Sequence, residues 1–364
     1  MIATTSIVEK HVPATSVYGH VEGQLSRLIS RFGLACQRAT IMKTYQLICA
    51  KSLAIPLASR PPGFSRINED GTPFQFSIVL GGSKMPLQFL SEVGGAGDCG
   101  ADRLHASRET LRSIAGLFGA EESLSAVTFI IDEMVPGDNP DLLAEHAGAI
   151  WIGASFIPEE EPKLKIYLNA KWGQEVDQWK RLDAFASRFN ANAQRYGETQ
   201  LKNGMKPLGA SITISRDRLL SGRVYLGAYG KQMAYYEALA SASAGSAFQE
   251  SFRSYIDTLL GENSRYPTQS TVCSFGFDTS GSYDFKFEMC GLGIFESDAD
   301  AMVRCSNWLK LQKIDPSIYL CVLDELSSDM LHDSRVRLHS YVGLGARRDR
   351  VYSTFYFNPG IWNS

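Results

Sequence analysis

Five times along this chain, helical sequence gives way to two strand-like runs joined by a short polar turn. The first pair is PFQFSIVL (73–80) and MPLQFLSEV (85–93), around GGSK. The second is AGAIWIGASFI (147–157) and PKLKIYLNA (162–170), around PEEE. The third is PLGASITIS (207–215) and GRVYLGAYG (222–230), turning near Arg216–Leu220. The fourth is STVCSFGFD (270–278) and SYDFKFEMC (282–290), around TSG. The fifth is VRLHSYVGLG (336–345) and DRVYSTFYFN (349–358), around ARR. Apolar and polar residues alternate in many of these runs, and the connections carry Gly, Pro, Ser or charge, which predicts hairpins.

Amphipathic helices are predicted between the hairpins. Val17–Phe32 places Val21, Leu25, Leu28 and Ile29 on one face. Leu104–Leu117, Val176–Phe189, Ala247–Leu260 and Ala299–Ile314 show the same spacing. The turns recur about every 60–75 residues, room for two helices and one hairpin per unit. Ten antiparallel strands in sequential hairpins can close into one barrel, which removes the exposed sheet edges. The expected fold is therefore α+β: a closed barrel of about ten strands surrounded by helices, with residues 1–364 as one domain. Eight strands only just fill with side chains, so ten leave space for a ligand.

Composition narrows the function. The net charge of −3 supplies no basic field for nucleic acid. No apolar run approaches the roughly 20 residues of a membrane helix, and the first residues show no signal peptide. Seven scattered cysteines without a C-x-x-C pair fit a reduced, cytoplasmic protein.

The strands carry unusual residues on one face. Lys165 and Tyr167 share a face, and so do Arg223 and Tyr225 at the equivalent place one repeat later. Lys286 is flanked on its own face by Asp284 and Glu288. The fifth hairpin offers Arg337, His339 and Tyr341, then Tyr352 and Tyr356. Cations and tyrosines also suit the solvent face of a strand, but helices packed outside a barrel disfavour charge there. These residues are therefore expected in the lumen. Cations converging on a closed pocket fit a diphosphate. Tyrosine hydroxyls can donate to its oxygens while the rings face a cation. Diphosphate with carbocation is the chemistry of prenyl transfer, and water must be kept from it. Competing motifs are missing: no G-x-x-x-x-G-K-S/T, G-x-S-x-G or H-E-x-x-H, and no D-D-x-x-D for paired Mg²⁺ ions.

On these residues the chain resembles the dimethylallyltryptophan-synthase-type aromatic prenyltransferases of the ABBA-barrel superfamily, the PT barrel of five ααββ repeats. The resemblance covers roughly residues 55–364 and rests on NEDGTPFQFS (68–77), KIY (165–167), RVYLGAY (223–229), HSYVGLG (339–345) and VYSTFYFNP (351–359). LASRPPGFSRINEDGTPF (57–74) is most similar to bacterial indole prenyltransferases of the hapalindole and lyngbyatoxin pathways. The resemblance implies transfer of a dimethylallyl or geranyl group from its diphosphate to an indole-type small molecule, by a monomer or homodimer. It implies that Lys165, Tyr167, Arg223, Tyr225, Lys286, Tyr341, Tyr352 and Tyr356 bind the diphosphate and shield the cation. The absence of paired aspartates leads us to expect that no metal is strictly required, with Mg²⁺ an optional diphosphate counter-ion. Where the family has a Glu that accepts the indole N–H, this chain has Gln75, whose carbonyl can accept the same bond without taking a proton. The family arginine of the next strand corresponds to Gln88, with Lys84 or Arg337 as compensating cations, and Glu288 stands where a tyrosine is usual.

Three other readings fit parts of the sequence. A phenol could replace the indole at Gln75. A non-catalytic barrel could hold a similar ligand. A five-bladed guanidine-modifying enzyme would need a reactive Cys near the C-terminus, and Cys321 and His332 are poor matches to that role.

Overall fold

The structure, a computed structural model, describes residues 16–361 except 58, 60–64, 69, 83, 138, 140–141, 144–147, 190–203, 232, 262–270, 279–282, 328–337 and 348–349. Ten strands form the five hairpins: β1 Phe74–Leu80, β2 Leu87–Glu92, β3 Ile150–Phe156, β4 Lys163–Asn169, β5 Lys206–Ser215, β6 Arg218–Gly227, β7 Thr271–Asp278, β8 Tyr283–Cys290, β9 His339–Arg347 and β10 Arg350–Phe357. Each pairs antiparallel with its sequence neighbour, and β1 pairs with β10, so the sheet closes. Closure leaves no strand edge to attract another chain. A five-bladed arrangement is excluded by this topology.

The strands follow from their alternation. In β1, Phe74, Phe76, Ile78 and Leu80 point outward and are buried under helices, and Gln75 and Ser77 point inward. Phe89 stacks on Phe74 at 5.9 Å and on Phe156 at 6.0 Å, while Tyr45 meets Phe74 edge-on. The hydrophobic core is thus a layer between barrel and helices. Burying each large side chain there stabilises the fold by about 1.5–3 kcal/mol.

The helices cover that layer with one apolar face each. Val17–Arg31 buries Val17, Val21, Leu25, Leu28 and Ile29, and its first turn is capped by Ser16, whose Oγ accepts from the Gly19 N–H. Gly100–Phe118 stops at Gly119, whose φ of 65° is the left-handed conformation that ends helices at glycine. Second helices complete the units at Arg38–Cys49, Glu121–Met134, Met233–Ala244 and Ser317–Ser327.

One departure from simple alternation matters. A bulge between Tyr356 and Phe357 pairs Tyr356 with Tyr341 and Phe357 with His339. Period-two alternation puts His339 in the lumen beside Tyr341; the bulge turns it outward instead. There its Nδ1 lies 2.7 Å from Asp298 Oδ1 and its Nε2 2.7 Å from Tyr319 Oη, both on covering helices. Arg337 and His332 lie outside the described residues.

Candidate active site

Register places the sequence-predicted residues on the inner wall. Tyr167 pairs with Ser211, which pairs with Arg223; Tyr225 pairs with Ser274, which pairs with Lys286. Lys286 in turn pairs with Gly345, and Gly345 with Tyr352. Directly opposed residues in a sheet point to the same face. Gln75, Lys165, Tyr167, Arg223, Tyr225, Lys286, Tyr341, Tyr352 and Tyr356 therefore all face one lumen.

Glycines on neighbouring strands let the large side chains lie flat along the wall. A Cβ at Gly276 would sit 2.8 Å from Arg223 Nη2, and one at Gly345 would collide with the Tyr352 ring. Such positions are where a side chain would fill space that the site uses.

The three cations are not equivalent. Arg223 meets Asp284 at 2.6 Å and donates to Ser274 Oγ at 2.9 Å. Tyr352 Oη donates to the same Asp284, at 2.8 and 3.0 Å to its two oxygens. Lys286 Nζ lies 2.8 Å from Glu288 Oε1 and contacts Tyr356 Oη. Lys165 has no ion pair among the described residues, and its Nζ sits 5.8 Å from the Tyr167 ring centroid. Two carboxylates thus neutralise two of three cations. Their presence on the Lys286 face is visible in the sequence, but the partnership of Asp284 with Arg223 joins residues on separate hairpins.

Burial sets the protonation of the wall. Desolvation, then the Arg223 charge, lowers the Lys165 ammonium to about 8. Desolvation likewise lowers Lys286 to about 8, against the opposing pull of Glu288. Tyr167, Tyr225, Tyr352 and Tyr356 are all raised, by burial first. They stay neutral near pH 7 and keep a proton to donate. Tyr225 Oη lies 3.1 Å from Ser211 Oγ, Tyr167 and Tyr225 are 6.1 Å apart, and Tyr341 meets Tyr356 edge-on at 6.5 Å.

The opposite wall, β1 to β3, is polar and uncharged from Gln75 to Ser155, and its one carboxylate among the described residues, Glu92 at the end of β2, is paired with buried Arg103 at 3.2 Å. Gln75 is 5% exposed. Its Nε2 donates to Asn68 Oδ1 at 2.8 Å and to Ser340 Oγ at 2.9 Å. Ser77 Oγ donates to Gln88 Oε1 at 3.2 Å, and Gln88 Nε2 donates to Ser155 Oγ at 3.1 Å. Gln88 is therefore a spacer within a polar chain rather than a cation. Lys84 does not substitute for it: it sits exposed by the first turn and pairs with Glu160. Asn68 in the loop before β1, Ser340 on β9 and Ser155 on β3 join this polar network; sequence reasoning does not single them out, because small neutral residues carry no chemical signal of their own.

A closed ten-strand antiparallel barrel with helices outside is the ABBA, or PT, barrel. The chain is similar in structure to 5-dimethylallyl tryptophan synthase from Streptomyces coelicolor in complex with DMASPP and Trp, at 21% identity over 97% of each chain, TM-score 0.80. It is similar to 6-dimethylallyltryptophan synthase from Micromonospora olivasterospora in complex with DMASPP and Trp, at 19% identity over 96% of this chain and 99% of that one, TM-score 0.82. AnaPT from Neosartorya fischeri aligns at 12% identity over 95% of each chain, TM-score 0.74. No family model and no curated protein sequence matches the chain.

Proposed function

We propose that this chain is an aromatic prenyltransferase that moves a dimethylallyl or geranyl group from its diphosphate to an indole-type acceptor. The observation that carries the reading is the divided lumen: Lys165, Arg223 and Lys286 with neutral tyrosines on one arc, and a fixed neutral amide on the other. The solved neighbours in complex with DMASPP and Trp share this barrel, which supports a prenyl donor and an aromatic acceptor. LASRPPGFSRINEDGTPF (57–74) supports the hapalindole and lyngbyatoxin subtype. A cytoplasmic setting is part of the same reading, supported by seven cysteines that are all free thiols. Among the described residues no helix is long and apolar enough to cross a membrane.

The reaction follows from the two arcs. Lysine, arginine and phenol donors stabilise the departing diphosphate as the allylic C–O bond breaks. The rings of Tyr167, Tyr225 and Tyr356 present negative faces to the cation that remains. The electron-rich ring attacks it and then loses its ring proton to the released diphosphate. Gln75 Oε1 accepts the indole N–H and so orients the ring. Lys165 supplies unmatched charge, and Arg223, Lys286 and the phenols supply hydrogen-bond donors, a set that takes the part a metal plays elsewhere, so in this reading catalysis does not strictly require Mg²⁺.

The test is mass spectrometry of products from a panel of indoles and phenols, each with dimethylallyl and geranyl diphosphate. Prenylated indoles are expected. Products from phenols alone overturn the acceptor, and no product with any pair favours a barrel that only binds.

A further inference from the structure

We infer that Asn68 is a positioning residue that fixes the direction of the Gln75 amide and makes position 75 specific for an uncharged amide. The inference rests on Gln75 as the acceptor contact and goes one step beyond it. The loop before β1 buries Asn68 to 4% exposure. Asn68 Nδ2 donates to the backbone carbonyls of Thr72 at 3.0 Å and Phe74 at 2.8 Å. Carbonyl oxygens only accept, so both Asn68 amide protons are committed and Oδ1 must face the other way. Facing that way, Oδ1 accepts from Gln75 Nε2 and from Ser340 Oγ, the latter at 2.6 Å.

Gln75 is determined in turn. Only an N–H can face Asn68 Oδ1, so Nε2 occupies that position and spends its protons on Asn68 and Ser340. Gln75 Oε1 accepts nothing from the described residues. Two backbone carbonyls thereby set which end of a side chain on the next strand meets the acceptor. A glutamate at 75 would set a carboxylate oxygen against Asn68 Oδ1, acceptor against acceptor. Turning Asn68 over would move the same conflict to Thr72 and Phe74. A carboxylate is the stronger acceptor for an indole N–H, but among the described residues around Asn68 only the Ser340 hydroxyl could donate to its second oxygen.

The test is steady-state kinetics with dimethylallyl diphosphate and tryptophan, or another indole that turns over in the panel. Gln75→Glu is expected to lose about tenfold or more in kcat/KM for the indole, and to be no better than Gln75→Ala. In an Asn68→Ala background the Gln75→Glu penalty is expected to shrink, a non-additive cycle, with KM for the donor unchanged throughout. The preference of the wild type for N–H over N-methyl indole is expected to fall in Asn68→Ala, a readout that a merely structural residue would not move. Gln75→Glu as active as wild type, or penalties that simply add, overturns the role of Asn68. If Gln75→Ala is itself unimpaired, the acceptor contact fails instead. Should Asn68→Ala not fold, the comparison of Gln75→Glu with Gln75→Ala in the native background decides alone.

Discussion

The two arcs of the lumen are built from the same strand alternation and solve opposite problems. On β4 to β8 and β10, large charged and phenolic side chains lie over glycines and pair among themselves. On β1 to β3, amides and hydroxyls form a neutral chain through Ser77, Gln88 and Ser155. The charged arc carries three cations to two carboxylates and leaves Lys165 without an ion pair among the described residues, a charge that the proposed diphosphate would match. On the neutral arc the Gln75 amide protons are both spent, while its Oε1 accepts nothing from the described residues. Under the proposed function, the contrast teaches that donor affinity would be stored as unmatched charge, and acceptor recognition as direction.

The largest break in this contrast is expected from Lys165→Ala. Removing the unmatched cation should raise the donor KM or lower turnover by about 100-fold, since truncating a buried charge contact costs about 2–5 kcal/mol. Acceptor KM should move little. The same variant relieves a desolvated ammonium, so a thermal melt should show Tm unchanged or higher.

Asp284→Asn sharpens the contrast from the other side. It leaves Arg223 without its carboxylate, and the fold should lose several degrees in Tm because a buried pair has lost one partner. The freed guanidinium should bind the donor more tightly, by about tenfold, measured by calorimetry with a non-hydrolysable donor.

A smaller effect is expected from pH. Lys165 and Lys286 lose their protons near 8 in the empty site, so donor affinity should fall as pH rises through 8. Stability runs the other way. Both groups have a folded pKa below the unfolded value, so the unfolded chain holds more protons between about 8 and 10.5, and their contribution to stability grows with pH across that window. A donor KM and a Tm that both rise with pH, affinity falling as stability grows, would set these lysines apart from surface ones. The smallest effect is expected from metal removal: EDTA should lower activity by less than about tenfold, through free diphosphate chelation alone.

Much of the fold was legible because closure and hairpins are written in local alternation. PFQFSIVL already separates Phe74 and Phe76 from Gln75, and the structure keeps that division. The inward set from Lys165 to Tyr356 follows from the same period. His339 was misplaced because one bulge inverts a strand end, and a bulge leaves no mark in residue type. The repeat length leaves room for a second helix in each unit, and in Glu121–Met134 Leu124, Val127, Ile131 and Met134 recur at helical spacing. The pairing of Arg223 with Asp284 reaches across Gly276 from β6 to β8, and the hold of Asn68 on Gln75 is made by a loop; no local pattern encodes either contact.

The most direct test of the divided lumen is calorimetry on three proteins, wild type, Lys165→Ala and Gln75→Ala, each titrated with dimethylallyl thiolodiphosphate and then with an indole acceptor. A lumen divided in this way predicts that Lys165→Ala loses donor binding and keeps acceptor binding at the level of the empty wild-type site, while Gln75→Ala does the reverse. Loss of both ligands in both variants, or of neither, would contradict it.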